Sequence, residues 1–378
     1  MLVTVLKVIS RKKNQSRENN FFVPETSHLI LPSLENRFDG KLLIKGDNLI
    51  ALHLLGEFPK IAGKIGMVYI DPPFATGQKF YVNGDRFSTI SRPQNGALAY
   101  HDEFTLEEYL DFLRPRLILL RELMANNGSI YVHIDYKVGH YVKCLMDSIF
   151  GRENFINDIT RIKCNPKNFS RDGYGNIKDM ILFYSKTQNY VWNDVRQSIS
   201  LGEDPRFSFI DFEGRRYTTT PLHAPGETVN GQTGKPWRGL KPPPGRHWRY
   251  SPDTLDQLEK KGLIEWSSTG NPRKKLYADE VEKSGVKVQD VWYFKDPQNP
   301  KYPTEKNFDM LKMIIQNSSK PGDIVLDAFC GSGTTLVAAD DLNRKWIGID
   351  NSSISYSICR QRLKESGCDF VKVGEKDD

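Results

Sequence analysis

The sequence predicts an α/β fold with a mostly parallel sheet built from two separated parts of the chain. Near the start, residues 41–71 read as a buried strand, a helix and a second buried strand. Near the end, residues 323–350 read as a strand, a glycine turn, a helix and another strand. Strands that alternate with helices over short joints are typical of a parallel sheet.

Between these parts the sequence predicts further elements. Thr105 and Glu108 form a capping-box pattern, which predicts a helix to about Met124 with a kink or break at Pro115. "GSIYVHID" is expected to form a strand and "HYVKCLMDSIFG" a helix that ends at Gly151. Residues 75–104 are polar, rich in Gly and Pro, and lack periodicity, so we interpret them as a long functional or disordered loop.

The region between the two α/β parts has a different composition. Five of the six tryptophans lie between residues 190 and 292. Residues 151–275 contain 21 Lys and Arg against 14 Asp and Glu, an excess of 7, whereas the whole chain carries a net charge of +6. We therefore predict four parts: an N-terminal extension at 1–40, an α/β half at 41–160, an inserted region at 161–295, and a second α/β half at 296–378.

The totals exclude several classes of protein. Of 378 residues, 38% are hydrophobic and 26% are charged, which is typical of globular domains, and no run of about 18 apolar residues predicts a membrane span. The five cysteines are scattered without zinc-ligand spacing, which favours reduced thiols over disulfides or a metal site. The apolar residues at the N-terminus precede the basic ones, the reverse of a signal peptide. We expect a cytoplasmic protein without a bound metal.

The glycine turn predicts a nucleoside site. Asp327 ends a strand, Gly331 and Gly333 follow, and Asp350 ends the next strand. Glycines at such a turn allow a ligand to approach the backbone, and an acid about 20 residues further on can bind the hydroxyls of a ribose. Leu336 stands where a dinucleotide fingerprint needs a third glycine, and no Walker A motif is present. A nucleoside without a pyrophosphate is favoured, and S-adenosyl-L-methionine fits that description.

The stretch "DPPF" predicts a clamp for an aromatic amine. Asp71 follows a buried strand, and Pro72 and Pro73 fix the backbone and leave the Pro72 carbonyl free to accept. These two acceptors suit an exocyclic amine, and Phe74 offers a flat surface to its ring. Acceptors that pull on the amine protons localise the nitrogen lone pair, which can then attack a sulfonium methyl group. Inside a duplex the amine is unreachable, so the base must be flipped out.

At these residues the chain resembles the amino-group DNA methyltransferases of the β arrangement. In that family a D-P-P-[YF] block precedes the specificity region and an F-x-G-x-G block comes last, as "DPPF" and "FCGSG" do here. The resemblance implies a Rossmann-like S-adenosylmethionine-dependent methyltransferase fold with circularly permuted motifs. It covers about 40–160 and 290–365, and implies a catalytic half, an inserted target-recognition region and a cofactor-binding half within the boundaries given above.

The resemblance also implies roles for individual residues. "GDNL" matches a family motif whose Asp47 and Asn48 would approach the cofactor adenine, and "YPTEKN" one whose Thr304 and Lys306 would lie near its methionine end, with Asn307 replacing the usual Pro. Asp350 matches the ribose-binding acid. The expected catalytic residues are therefore Asp71, Pro72, Pro73 and Phe74, and the expected cofactor-binding residues are Asp47, Asn48, Thr304, Lys306, Asp327, Phe329, Gly331, Gly333, Thr334 and Asp350.

The choice of base follows from residue 71. In the resembled family an acid before Pro-Pro is typical of adenine-N6 enzymes and Ser is typical of cytosine-N4 enzymes, so Asp71 favours adenine in duplex DNA. No Pro-Cys block supports cytosine-C5 chemistry, and we interpret Cys330 as a packing residue. Cytosine-N4 methylation, methylation of an RNA base, and an inactive DNA-binding protein are the alternatives.

The inserted region is the predicted DNA reader. "GKPWRG" and "GRHW" resemble the middle of these enzymes, including the modification subunits of type III restriction systems. Arginines pair with phosphates or guanine edges, so the expected DNA-binding residues are Lys235, Arg238, Arg246 and Arg249. Residues 75–104 are expected to form a lid over the flipped base, and His133 and Asp135 to line a strand end rather than form a catalytic pair. A homodimer and a separate restriction endonuclease are compatible with the resemblance, and no pattern decides either.

Overall fold

The computed structural model describes residues 38–73, 105–166, 172–202, 204–297 and 305–374, and the backbone of three strands at 79–83, 86–88 and 97–101. The chain divides into two compact units. One comprises the chain up to Asn193 and from Asp290 onward, and the other comprises Asp194–Gln289. The predicted extension at 1–40 lies almost entirely outside the described residues.

The described strands, numbered in chain order, are β1 (Lys41–Lys45), β2 (Ile65–Ile70), β3 (Lys79–Asn83), β4 (Arg86–Ser88), β5 (Ala97–His101), β6 (Met124–Ile134), β7 (Phe155–Ile162), β8 (Lys178–Ser185), β9 (Arg196–Gln197), β10 (Phe209–Ile210), β11 (Arg216–Pro221), β12 (His223–Pro225), β13 (Arg246–Trp248), β14 (Ile264–Trp266), β15 (Pro272–Tyr277), β16 (Val286–Lys287), β17 (Val291–Trp292), β18 (Ile324–Asp327), β19 (Lys345–Asp350) and β20 (Val371–Val373).

The described α-helices are α1 (Asn48–Gly56), α2 (Leu106–Leu123), α3 (Gly139–Phe150), α4 (Pro252–Lys260), α5 (Ala278–Ser284), α6 (Phe308–Ser318), α7 (Thr334–Asp341) and α8 (Ser353–Glu365). Of the helices in the described ranges, none is both long and apolar enough to cross a membrane.

The first unit is organised around a nine-stranded sheet with the order β17-β7-β8-β6-β2-β18-β19-β1-β20. β8 pairs antiparallel with both of its neighbours, and the other pairings are parallel. The predicted mostly parallel α/β sheet is therefore confirmed. β2, from the first half of the sequence, lies beside β18, from the second half, so the two halves form one sheet.

Burial explains why these segments adopt these elements. Every residue of β2 and of β18 is buried, which is characteristic of central parallel strands covered on both faces. In α2 the buried residues Leu113, Leu117 and Leu120 recur at helical spacing and join the main core. The predicted capping box of Thr105 and Glu108 is present, but α2 continues through Pro115, so the predicted break is absent. The packed apolar face holds the helix together on both sides of the proline.

Part of the segment 75–104 is regular. β3 pairs antiparallel with β4 and with β5, in the order β4-β3-β5. The interpretation of this segment as a loop is therefore wrong for the backbone of these strands. β3 and β5 contain the aromatic and β-branched residues that favour strands, and they pair despite the polar residues around them. The remaining residues of the segment lie outside the described part of the chain.

The compact second unit is narrower than the predicted inserted region of 161–295. β8 and β17 fall within that range, yet they complete the main sheet of the first unit. The sheet to which a strand belongs depends on the neighbours with which it pairs, and composition does not reveal these. Asp194–Gln289 alone forms the second unit.

The second unit contains an antiparallel sheet, β10-β11-β15-β14, and the hairpin β12-β13. Its core includes Leu222, Trp237, Trp248 and Leu255. Trp237 is 2% exposed and Trp248 is 1% exposed, and the indole N–H of Trp237 donates to Asp256 at 2.8 Å. These two tryptophans therefore stabilise the unit from inside.

Candidate active site

Three carboxylates lie at the carboxyl ends of three adjacent strands. Asp71 directly follows β2, Asp327 ends β18 and Asp350 ends β19, and these strands are neighbours in the order β2-β18-β19. All three residues line one cavity of about 280 Å³. The crevice outside the carboxyl edge is where open α/β sheets bind their ligands, so this cavity is the candidate active site.

One oxygen of the Asp71 carboxylate forms an ion pair with Lys306, and the other does not. Its Oδ2 lies 2.6 Å from Nζ of Lys306, and both side chains are largely buried. Its Oδ1 is buried and accepts no hydrogen bond from any described residue. Pro72 is buried, Pro73 is half-buried and both line the cavity, whereas Phe74 lies outside the described residues. A buried acceptor without a hydrogen-bond donor destabilises the folded protein, and a ligand with an N–H group could supply that donor.

The glycine turn is hydrogen-bonded to the Asp350 carboxylate. The Gly331 N–H donates to Oδ2 and the Ser352 N–H to Oδ1 of this carboxylate, both at 2.9 Å. Gly333 precedes α7 with φ of +79°, and a Cβ atom there would lie 2.5 Å from Sγ of Cys359. Only glycine combines this backbone conformation with so close an approach. Cys330 also lines the cavity and is buried, as expected of a packing residue.

The cavity has a strongly acidic character. Burial raises the pKa of Asp327 to about 7, and the nearby charges of Asp71 and Asp350 act in the same direction, against hydrogen bonds from Thr335 and the Phe329 N–H. Burial also raises the pKa of Asp350, against hydrogen bonds from the Ser352 and Gly331 backbone. A cationic ligand would favour the ionised forms of these carboxylates, so the site suits a positively charged ligand.

Asp47 and Asn48 connect the two halves of the sequence. Asp47 caps α1 by accepting from the Leu49 and Ile50 N–H groups at 2.8 and 3.2 Å. Asn48 donates to the Ala328 carbonyl at 2.8 Å and accepts from Nε of Arg116 at 2.6 Å. Both residues line the cavity, so the structure brings them to the predicted site.

Aromatic rings form another part of the wall. The Phe112 and Phe329 rings lie 6.1 Å apart, and the guanidinium of Arg116 stacks 3.8 Å from the centre of the Phe112 ring. Phe329 was predicted, but Phe112 and Arg116 were not. They lie four residues apart on one face of α2, a spacing that a merely amphipathic helix also shows.

A network from α8 holds the segment that carries Lys306. Arg362 pairs with Glu305 at 2.7 Å and donates to Oγ1 of Thr334 at 3.0 Å. Asn307, which replaces the usual Pro of the resembled family, caps α6 by accepting from the Met310 N–H at 3.0 Å. The substitution therefore preserves a defined start for the helix. Thr304 lies outside the described residues.

His133 belongs to a buried network behind the cavity. Its Nδ1 lies 2.8 Å from the hydroxyl of Tyr69, and its Nε2 lies 3.2 Å from Asp179. Asp179 also pairs with Arg161 and Lys163 at 3.3 and 2.7 Å. His133 thus pairs with Asp179, and of this network Tyr69 reaches the cavity wall. Sequence patterns could not reveal a pairing that joins three different strands.

The predicted site residues that the structure describes, all except Phe74 and Thr304, fall into three groups. The cavity is lined by most of the predicted catalytic and cofactor residues: Asp47, Asn48, Asp71, Pro72, Pro73, Lys306, Asp327, Phe329, Gly331, Thr334 and Asp350. Gly333 supports the turn without lining the cavity. The predicted DNA-binding residues Lys235, Arg238, Arg246 and Arg249 belong to the second unit. In the described ranges, no cluster of three His, Cys, Asp or Glu residues is arranged to hold a metal ion.

Comparison with known proteins identifies relatives over most of the chain. A family model described as DNA methylase matches residues 65–361. The type II methyltransferase M.EcaI of Enterobacter cloacae is 43% identical over 365 residues, which cover 94% of this chain and 75% of that protein. The EcoP15I Mod subunit of Escherichia coli, a type III restriction-modification enzyme, is 27% identical over 88% of this chain. A probable type III counterpart, the HindVI Mod subunit of Haemophilus influenzae, is 26% identical over 86%. The chain spans 60% and 50% of the length of these two Mod subunits.

Proposed function

Since the chain belongs to the DNA methylase family, we propose that it transfers a methyl group from S-adenosyl-L-methionine to the N6 amine of an adenine in duplex DNA. The observation that carries this proposal is the buried Oδ1 of Asp71, which accepts no hydrogen bond from the described residues and belongs to a residue lining the acidic cavity. An exocyclic amine has two N–H donors, one of which would satisfy this oxygen.

The residues of the cavity fit S-adenosyl-L-methionine. The buried carboxylates Asp327 and Asp350 favour a cation, and Gly331 lets a ligand approach the backbone. Both oxygens of Asp350 accept one backbone N–H each and retain lone pairs for ribose hydroxyls. When bound, this cofactor supplies a methyl group on a positively charged sulfur, whose C–S bond breaks as the amine nitrogen bonds to the carbon.

Asp71 acts on the acceptor amine in two ways. Lys306 pairs with Oδ2, which leaves Oδ1 to accept a hydrogen bond from the amine. This hydrogen bond localises the lone pair on the amine nitrogen. After transfer the nitrogen carries one proton too many, and the carboxylate receives it and passes it to water. Orientation of the amine in this manner contributes roughly 7–11 kcal/mol to such reactions in favourable cases.

The acceptor base has to leave the duplex before it reaches this site. Pro72 and Pro73 hold the backbone after Asp71 in a fixed conformation, which suits a base placed beside the carboxylate. Phe74 is proposed to stack on the flipped ring, although it lies outside the described residues. Strands β3, β4 and β5 are proposed to belong to the lid over that base.

Adenine is favoured over cytosine by the identity of residue 71. The acid before Pro-Pro is typical of adenine-N6 enzymes in the resembled family, and Asp71 has an oxygen to spare for the amine. The same clamp would also serve the N4 amine of cytosine or a base of RNA. A protein that only binds DNA has no need of a buried, unsatisfied carboxylate beside an acidic cavity.

The test is to identify the methylated nucleoside. The chain is incubated with methyl-labelled S-adenosyl-L-methionine and duplex DNA, or RNA, and the nucleic acid is digested to nucleosides. We expect labelled N6-methyl-2′-deoxyadenosine from DNA. Labelled N4-methyl-2′-deoxycytidine would overturn the choice of base, label in RNA alone would overturn the choice of nucleic acid, and no label in either would overturn the enzymatic assignment.

Asp71→Ala tests the role of the carboxylate. We expect transfer to be abolished while calorimetry still detects binding of S-adenosyl-L-methionine, because Asp327 and Asp350 remain. Asp341→Asn is the matched control, since Asp341 also pairs with a lysine but does not line the cavity. Transfer by Asp71→Ala at the rate of the control would contradict the proposed role.

The wider setting of the reaction is also proposed. By name, one relative is a type II methyltransferase and another is the Mod subunit of a type III restriction-modification enzyme, which favours a cytoplasmic enzyme that protects specific DNA sequences. The second unit is proposed to select the sequence. A homodimer and a separate endonuclease remain compatible with this setting, and light scattering of the purified chain tests the first.

A further inference from the structure

The arginines of the second unit differ in the partners of their guanidinium groups. Several of them form ion pairs with carboxylates at 2.5–2.9 Å: Arg206, Arg215 and Arg238. The positive charge of Arg238 is compensated by both Glu259 and Asp256. These arginines stabilise the unit itself, and their charges are largely satisfied before any partner binds.

Four further arginines have neutral partners: Arg216 donates to the Asp204 and Phe207 carbonyls, and the other three are Arg246, Arg249 and Arg273. Arg246 donates to a ring nitrogen of His223 at 3.1 Å, and Arg249 donates to the Pro221 carbonyl at 3.1 Å. Arg273 donates to the side chain and the carbonyl of Thr219 at 2.7 and 2.8 Å. None of the three forms an ion pair with a carboxylate in the described part of the second unit, 194–202 and 204–289.

These arginines converge on the corner where β11 passes into β12. Arg273 of β15 lies opposite Pro221, the last residue of β11. Arg249 follows β13, and its backbone N–H donates to the Leu222 carbonyl at 2.8 Å. Arg246 begins β13 and reaches His223, the first residue of β12. We call His223, Arg246, Arg249 and Arg273 the basic corner.

The hydrogen bond between Arg246 and His223 defines the state of the histidine. A guanidinium has no acceptor, so Nδ1 of His223 must accept, and the ring is neutral with its proton on Nε2. Burial lowers the pKa of His223, and the positive charges of Arg246, Arg249 and Arg273 lower it further. The basic corner therefore brings together three guanidinium groups that form no ion pair with a described carboxylate, and the N–H group of the His223 ring lies among them.

We propose that the basic corner binds a phosphate of the DNA backbone. This inference rests on one part of the proposed function, which is that the chain binds nucleic acid. Anchoring bonds occupy Nε of Arg249 and Nε and Nη2 of Arg273, which leaves the remaining guanidinium N–H groups for an anion. Several like charges around one point need an anion with several oxygens, as a phosphate has, whereas one arginine suffices to read a guanine edge.

The proposal separates Arg246 and Arg249 from Arg238, although sequence reasoning placed all three in one DNA-binding group. It also adds His223 and Arg273 to the proposed DNA-binding residues, although no sequence pattern indicated that these two bind DNA. Arg273 lies far along the chain from "GRHW", and the pairing of β11 with β15 brings it to the same corner. Lys235 is exposed and belongs to neither group.

The experiment measures binding of the full chain to several duplexes of unrelated sequence over a series of salt concentrations. Arg246→Gln and Arg249→Gln are each expected to weaken binding to all duplexes alike. Each should also reduce the slope of log K against log salt by about 0.9, the value for one lost phosphate contact. Arg249→Lys should retain most of the slope, and Arg206→Gln, which replaces an arginine that is ion-paired with Asp204, is the matched control that should retain affinity and slope.

Two results would overturn the phosphate site. One is an unchanged salt slope in both Arg246→Gln and Arg249→Gln. The other is a loss confined to one duplex sequence, which would indicate a base contact. Thermal unfolding of each variant verifies that it is folded. Methyl transfer by the unmodified chain is measured on the same duplexes, so that failure of the proposed reaction is distinguished from failure of the basic corner.

Discussion

Nζ of Lys306 lies 2.6 Å from Oδ2 of Asp71, while Oδ1 of the same carboxylate is buried and accepts no hydrogen bond from the described residues. The two side chains come from opposite halves of the sequence and meet at the carboxyl edge of β2. The ion pair orients the carboxylate so that one oxygen is committed to the protein and the other is left for a ligand.

Removing the positive charge of Lys306 should impair methyl transfer. Lys306→Met leaves a buried carboxylate without its partner, and we expect the kcat for methyl transfer to fall at least tenfold, equivalent to about 1.4 kcal/mol. Lys306→Arg should retain part of the rate because it keeps the charge. Lys312→Met, which breaks the more exposed pair with Asp341, is the control. A kcat for Lys306→Met equal to that of the control would show that the pair is not needed.

Asp327 should make stability depend on pH. Burial raises the pKa of this carboxyl from 3.8 to about 7 in the folded protein. Between these values the folded state keeps a proton that the unfolded state has lost, so the free energy of unfolding falls as pH rises through this window. The slope is at most about 1.4 kcal/mol per pH unit. Asp327→Asn cannot ionise and should lack this contribution.

Chemical denaturation from pH 4 to pH 8 checks this expectation. The stability of the unmodified chain relative to Asp327→Asn should decline with rising pH and level off above about 7. Other titrating groups, including Asp350, are present in both proteins and largely cancel. A difference that stays constant over this range would mean that Asp327 is ionised throughout.

Gly333 should tolerate no side chain. Gly333→Ala combines an unfavourable φ of +79° with a contact of 2.5 Å to Sγ of Cys359. Gly322→Ala is the matched control, because it has a φ of +87° and open space around the added atom. We expect the control to lose about 1–2 kcal/mol of stability and Gly333→Ala to lose more and also to bind S-adenosyl-L-methionine more weakly. Equal losses in the two variants would exclude a role for the close approach to Cys359.

The pair of Arg362 and Glu305 should position the segment of Lys306. Arg362→Met removes the bond to Glu305 and the bond to Thr334, and we expect the KM for S-adenosyl-L-methionine to rise several-fold. A double-mutant cycle with Glu305→Gln should give a coupling energy of about 1–3 kcal/mol. Arg206→Met, which breaks an exposed pair with Asp204, should leave KM unchanged. Independent effects of the two substitutions would contradict the coupling.

Local patterns allowed part of this site to be predicted. Asp71, Asp327 and Asp350 each end a buried strand, and the carboxyl ends of parallel strands share one edge, so their proximity followed from the order of elements. The contacts of Arg116, Arg362 and His133 could not be predicted in this manner. Each joins segments far apart in the chain, and the residues around each one also occur in ordinary helices and strands.

In the second unit, too, some features could be predicted from the sequence and others depended on the tertiary structure. Its basic and aromatic composition was evident, but composition did not separate the buried Trp237 and Trp248 from surface residues. Nor did it separate the paired Arg238 from Arg246 and Arg249. Burial and ion pairing depend on which strands lie next to each other, and antiparallel pairing of short strands has no distinctive local signal.

The sequence by itself determined the α/β class, the glycine turn and the acidic turn, because these depend on periodicity, backbone conformation and residue type within a few positions. Only the tertiary structure decided that β2 lies beside β18, that Lys306 occupies one oxygen of Asp71, and that the arginines of the basic corner form no ion pair with a described carboxylate. The physical reason is that hydrogen bonds and ion pairs act over a few ångströms, and folding alone determines which distant residues come within that range.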